Sequence, residues 1–101
     1  MMNSKDTTIL TLVKRIREAI SSEALQIVDY WDADNYAIGF SNSSLPNRLV
    51  YVSTYKKSED CFFCELELGE IKDGERNVIK TWENIPYLLM LKEIENFLEL
   101  Q

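Results

Sequence analysis

Histidine is absent from the chain. That removes Ser-His-Asp and Cys-His catalysis, imidazole metal ligation and the usual switch near neutral pH. Glycine is scarce, at three residues, so there is no Gly-rich phosphate cradle. Cysteine occurs only twice, and a zinc site needs further thiolate or imidazole ligands that this chain does not offer. Bases are outnumbered, with 11 Lys and Arg against 17 Asp and Glu, and the net charge is −6. Lys5, Lys14, Arg15 and Arg17 against Asp6 and Glu18 give residues 1–22 a charge of +2, which leaves −8 on the rest. Phosphate backbones are held by clustered Lys and Arg. Nucleic acid is therefore not an expected partner, whereas a basic protein is. No apolar run approaches the roughly 18 residues of a membrane span; the longest near the C-terminus, "PYLLML", has six. The N-terminus lacks the apolar core of a secretory signal, so a cytoplasmic, reducing location is expected. No metal, other cofactor or membrane is expected.

What the chain does have is enough apolar residues, 46%, for one domain over residues 1–101. Ile9, Leu12, Val13, Ile16 and Ile20 recur at helical spacing and predict a helix over about 5–20, capped by Ser4 or Asp6. The period then changes to two. Strands are predicted at Ala24–Trp31, Tyr36–Ser41, Leu49–Tyr55, Cys61–Lys72 and Glu75–Trp82. Between them "DADN", "NSSLPN", "KKSED" and "DG" read as turns. Connections this short imply an antiparallel meander. A second helix, about Pro86–Leu98, presents Leu88, Leu91, Ile94, Phe97 and Leu98. The expected fold is α+β: helix, four- to five-stranded antiparallel meander, C-terminal helix, with both helices on one sheet face.

The C-x-x-C of "SEDCFFCELELGE" is then a question of parity. Side chains alternate along a strand, so Phe62, Cys64, Leu66 and Leu68 face the core, and Cys61, Phe63, Glu65 and Glu67 face away. Cys61 and Cys64 point in opposite directions, with Cα atoms about 10 Å apart at a rise of ~3.3 Å per residue. A disulfide needs about 7 Å or less. Cys64 is therefore a core residue and Cys61 the start of a strand, not a metal or redox pair. A two-residue turn at Asp73-Gly74 would pair Lys72 with Glu75, Glu67 with Lys80, Leu68 with Ile79 and Glu65 with Trp82. A five-residue loop before Cys61 would pair Tyr55 with Cys61, Val52 with Cys64 and Val50 with Leu66. The face away from the core then carries Tyr51, Tyr55, Phe63 and Trp82 among Glu65, Glu67 and Lys80. Aromatic residues are enriched in binding patches, and acids among them select a basic partner. A homodimer covering this face and an ordinary solvated face are the alternatives.

The first hairpin, "VDYWDADNYAIGF", begins like a calcium loop at Asp32 and Asp34. The fifth, sixth and twelfth positions of that loop would be Tyr36, Ala37 and Ser43, which do not fit. As a plain hairpin it places Leu25, Ile27, Trp31, Ile38 and Phe40 on one face, together with Asp29. A buried carboxylate there would need hydrogen bonds or a raised pKa, and an edge position reaching water is the simpler expectation. Asp32 and Asp34, with Tyr30 and Trp31 beside them, form an acidic tip suited to a basic cleft. Asp29 and Asp32 are candidates for paired carboxylates by proximity alone, and no enzyme is expected.

The stretch "LVYVSTYKKSEDCFFCELELGE", followed by "ENIPYLLMLKEIENFLEL", resembles the meander and closing helix of small bacterial immunity proteins, which neutralise toxic effector domains. The resemblance covers about the last half of the chain. It implies binding of a cognate toxin, with acidic and aromatic surface residues blocking the effector's active site, but it assigns no individual residue. The expected function is thus a non-enzymatic acidic module that sequesters a basic protein. Its expected contacts are Tyr30, Asp32, Asp34, Tyr51, Tyr55, Phe63, Glu65, Glu67 and Trp82. The alternative is a small dimeric secretion-type chaperone or adaptor.

Overall fold

The computed structural model describes residues 5–31, 33–72 and 75–100, with side chains described outside 70–72 and 75–76. Helix α1 (Thr7–Ala19) is followed by β1 (Leu25–Val28), β2 (Ala37–Asn42), β3 (Leu45–Ser53), β4 (Cys61–Lys72) and β5 (Glu75–Pro86), and α2 (Tyr87–Leu98) closes the chain. The strands form one antiparallel sheet in the order β1-β2-β3-β4-β5. This is the α+β meander with flanking helices that the changes of period predict.

Asp6 caps α1, its carboxylate accepting from the Thr8 amide at 3.0 Å and from the Thr8 hydroxyl at 2.6 Å. Those bonds satisfy a donor left over by the first helical turn and hold the Asp6 carboxyl below its usual range. The buried side of α1 is Ile9, Leu12, Val13 and Ile16, and that of α2 is Tyr87, Met90, Ile94 and Leu98. Both stripes join Ile38, Phe40, Val50, Val52, Phe62, Cys64, Leu66 and Ile85 in a single core. Leu88, assigned to the apolar face in sequence, instead points outward at 75% exposure. The C-terminal carbonyls of α2 are bound by the sheet. Asn42 Nδ2 donates to Leu98 O and Arg48 Nη1 to Phe97 O, each at 2.7 Å.

The β3–β4 register is the expected one, with Val52 opposite Cys64 and Val50 opposite Leu66. Cys64 and Leu66 are buried while Phe63 is only half-buried, as parity requires. The β4–β5 register departs from expectation. Lys72 does pair with Glu75, but Leu66 pairs with Lys80, Glu65 with Thr81 and Cys64 with Trp82. Irregularities in β5 insert an extra residue, Ile79, between the partners of Leu66 and Glu67, and another between those of Phe62 and Cys64. Each insertion flips the strand's parity. Trp82 is therefore on the helix-covered side, packed against the core, with Lys80 Nζ 4.9 Å from its ring centroid. "NSSLPN" is also tighter than expected. Asn42 pairs with Leu45 across Ser43-Ser44, and the register slips beside Pro46, which has no amide to donate.

Candidate functional site

Cross-strand rows define the sheet face away from the helices. One row runs Gly39–Tyr51–Glu65–Thr81, and the next runs Ser41–Leu49–Glu67–Val78. This face is not a bare pleat. β1 ends at Val28, and Asp29 Oδ1 accepts from the Trp31 amide at 3.2 Å. That two-residue side-chain turn breaks the strand's alternation. Trp31 consequently leaves the core face predicted for it and lies on the opposite one. A Cβ added to Gly39 would meet the Trp31 ring at 2.9 Å. An isolated glycine inside a strand pattern was the sequence signal for such a close approach.

Trp31 completes a row of edge-to-face aromatic contacts. Tyr30 and Trp31 centroids are 5.8 Å apart, Trp31 and Tyr51 4.9 Å, and Tyr51 and Phe63 6.0 Å. Tyr30 is 61% exposed, while Trp31, Tyr51 and Phe63 are half-buried. The acidic tip and the aromatic sheet face, read separately in the sequence, are thus one continuous surface. Burial pushes the Tyr51 phenol above its ordinary value. The carboxylates of Asp34, Glu65 and Glu67 push the same way, and a hydrogen bond with Ser53 opposes them. The phenol therefore stays neutral in a negative field.

The other predicted contacts fall as follows. Asp34 is exposed at the rim, its Oδ1 accepting from the Tyr36 amide at 2.9 Å. Glu65 is half-buried and Glu67 only 5% exposed, so Glu67 contributes charge to the face more than contact area. Tyr55 pairs with Tyr36 at 5.4 Å rather than joining the row. Trp82 belongs to the other face. Asp32 lies outside the described residues.

Asp29 does not reach water at an edge. Its side chain is 14% exposed and pairs at 2.9 Å with Lys5 Nζ, a side chain 1% exposed. Nothing in the sequence signalled that a lysine ahead of the first helix would be buried. A groove of about 390 Å³ lies between α1 and the β3–β4 loop. Its cations are engaged. Arg15 pairs with Asp60 at 2.7 Å and stacks 3.6 Å over Tyr87, and Lys57 donates to the Glu83 carbonyl. Among the described residues no group of three or more Cys, Asp or Glu could hold a metal ion, and no helix is long and apolar enough to cross a membrane. Comparison with family models, curated proteins and solved structures found no match.

Proposed function

We propose that the chain is a non-enzymatic acidic module that sequesters a basic protein, in the manner of an immunity protein or inhibitor. The observation that carries the reading is the row Tyr30–Trp31–Tyr51–Phe63 on the sheet face free of helices, with Asp34, Glu65 and Glu67 about it. Rings of this kind supply large contact area at low entropic cost. Carboxylates around them steer a cationic partner and reject an anionic one. A guanidinium stacks on aromatic faces and pairs with carboxylates, so a partner presenting arginine suits the surface.

The test is titration against the purified product of the adjoining reading frame, with a decaarginine peptide as charge control. Trp31→Ala is expected to weaken the complex by about 2 kcal/mol or more, as for a central hot spot. Trp82→Ala, on the opposite face, is expected to leave affinity nearly unchanged. Equal losses for the two variants would remove the aromatic row from the interface. A concentration-dependent dimer that conceals Tyr30 and Trp31 would favour the chaperone or adaptor reading instead.

A further inference from the structure

We propose that Lys5 and Asp29 are positioning residues for this surface: their buried pair holds the β1–β2 loop so that Trp31 lies across Gly39 before a partner arrives. The inference rests on the docking reading above. Lys5 Nζ donates to the carbonyls of Trp31 at 3.0 Å and Asp34 at 2.7 Å, and pairs with Asp29 Oδ1 at 2.9 Å. An ammonium has three hydrogens, and three acceptors surround it. The same Asp29 oxygen accepts the Trp31 amide, so Trp31 is gripped at both its N–H and its C=O. The adjacent residue adds a further tie, Asp6 N donating to Asn35 O at 2.9 Å. The start of α1, which is anchored in the core, thereby becomes the reference point for the loop.

Stability alone is a poor reason for such a pair. Desolvating two charges offsets most of their attraction, and apolar replacements of similar volume often serve as well. Asp29 Oδ2 is in fact buried with no hydrogen-bond partner, a cost that better packing would avoid. What the pair achieves is geometry. It fixes two carbonyls and an amide of a loop that crosses to the far side of the sheet. A surface ordered in advance loses less entropy on binding.

The experiment uses the full chain with Trp82→Phe, leaving Trp31 as the sole tryptophan. Lys5→Met with Asp29→Asn removes both charges together, so no charge is left buried alone, and retains an Oδ1 acceptor for the Trp31 amide. Expected results are a red shift of Trp31 emission and loss of near-ultraviolet dichroism from the Trp31–Tyr51 contact. The Asp34 and Asp6 amides should exchange roughly ten- to a hundredfold faster, as losing bonds to a charged group implies. Amides between β3 and β4 should not change. Gly39→Ala, which displaces the ring and leaves the pair intact, should alter emission without accelerating exchange at Asp6. Parent-like emission and exchange in the double variant would overturn the clamp. Decaarginine supplies the second arm. If the parent binds and the loosened variant binds equally well, the pair does not position the surface. If the parent does not bind at all, the expectation of an arginine-presenting partner fails while the exchange data still decide the clamp.

Discussion

Cys64 is closed off from solvent, and burial, ahead of the carboxylates of Glu93 and Glu65, pushes its thiol from 9.0 to about 12. Cys61, at the start of the same strand, is only half-buried. Thiolate is the reactive form, so maleimide at pH 7.5 should modify Cys61 and spare Cys64 until the chain unfolds. Mass mapping of the labelled peptides reads this directly. The raised value also carries a stability consequence. The unfolded thiol ionises near its ordinary value while the folded one resists. The stabilising contribution is complete below about pH 9 and disappears as the pH climbs toward 12. Tyr51 and Tyr87, both raised chiefly by burial, act in the same direction. The Tm should therefore fall between pH 8 and pH 11, less steeply in Cys64→Ala than in the parent. An identical slope in the two would mean that Cys64 ionises freely in the fold.

β5 shows why an element's register is harder to read than its existence. Its ends obey the spacing set by the turn, with Lys72 opposite Glu75 and Cys61 opposite Pro86, while the middle slips. Charge matching, Glu67 to Lys80, favoured an unbroken register. Such pairs contribute only about 0.2–1 kcal/mol, too little to outweigh burying the ring of Trp82 beneath the helices, at roughly 25 cal/mol per Å² of apolar surface. On the partner strand Gly69 has φ +107°, where a side chain is strained even though the added Cβ would meet nothing within 4 Å. Gly69→Ala is expected to destabilise by about 1 kcal/mol or more through backbone strain alone, measured by urea unfolding. An unchanged midpoint would show that the bulge relaxes at no cost.

For the molecule as a whole the field is negative. The net charge is −6, and of the four bases of residues 1–22 Lys5 is buried and Arg15 is paired with Asp60 at the surface. Attraction of a basic partner should depend on salt, because exposed charges are screened beyond about 10 Å at 0.1 M. Asp34→Lys is expected to slow association at 20 mM salt and to matter much less at 500 mM, with dissociation little changed, by stopped-flow fluorescence of Trp31. A slower association rate that persisted unaltered at high salt would indicate a lost contact rather than lost steering.

The amphipathic stripe of α1, the Ile94 and Leu98 part of that of α2, the order of the strands and the burial of Cys64 follow from the residues themselves, because periods of 3.6 and 2.0 are local properties of the backbone. The β3–β4 register does too, since one turn and one apolar face specify it. Which face Trp31 and Trp82 occupy was decided only in three dimensions. Trp31 crosses the sheet because Asp29 ends a strand and Gly39 leaves room for a ring. Trp82 turns inward because inserted residues reverse the parity of β5. Lys5, 24 positions before Asp29 in the sequence, finds its partner only when α1 docks. No local pattern encodes a contact made across that distance; the packing of distant segments against one core does.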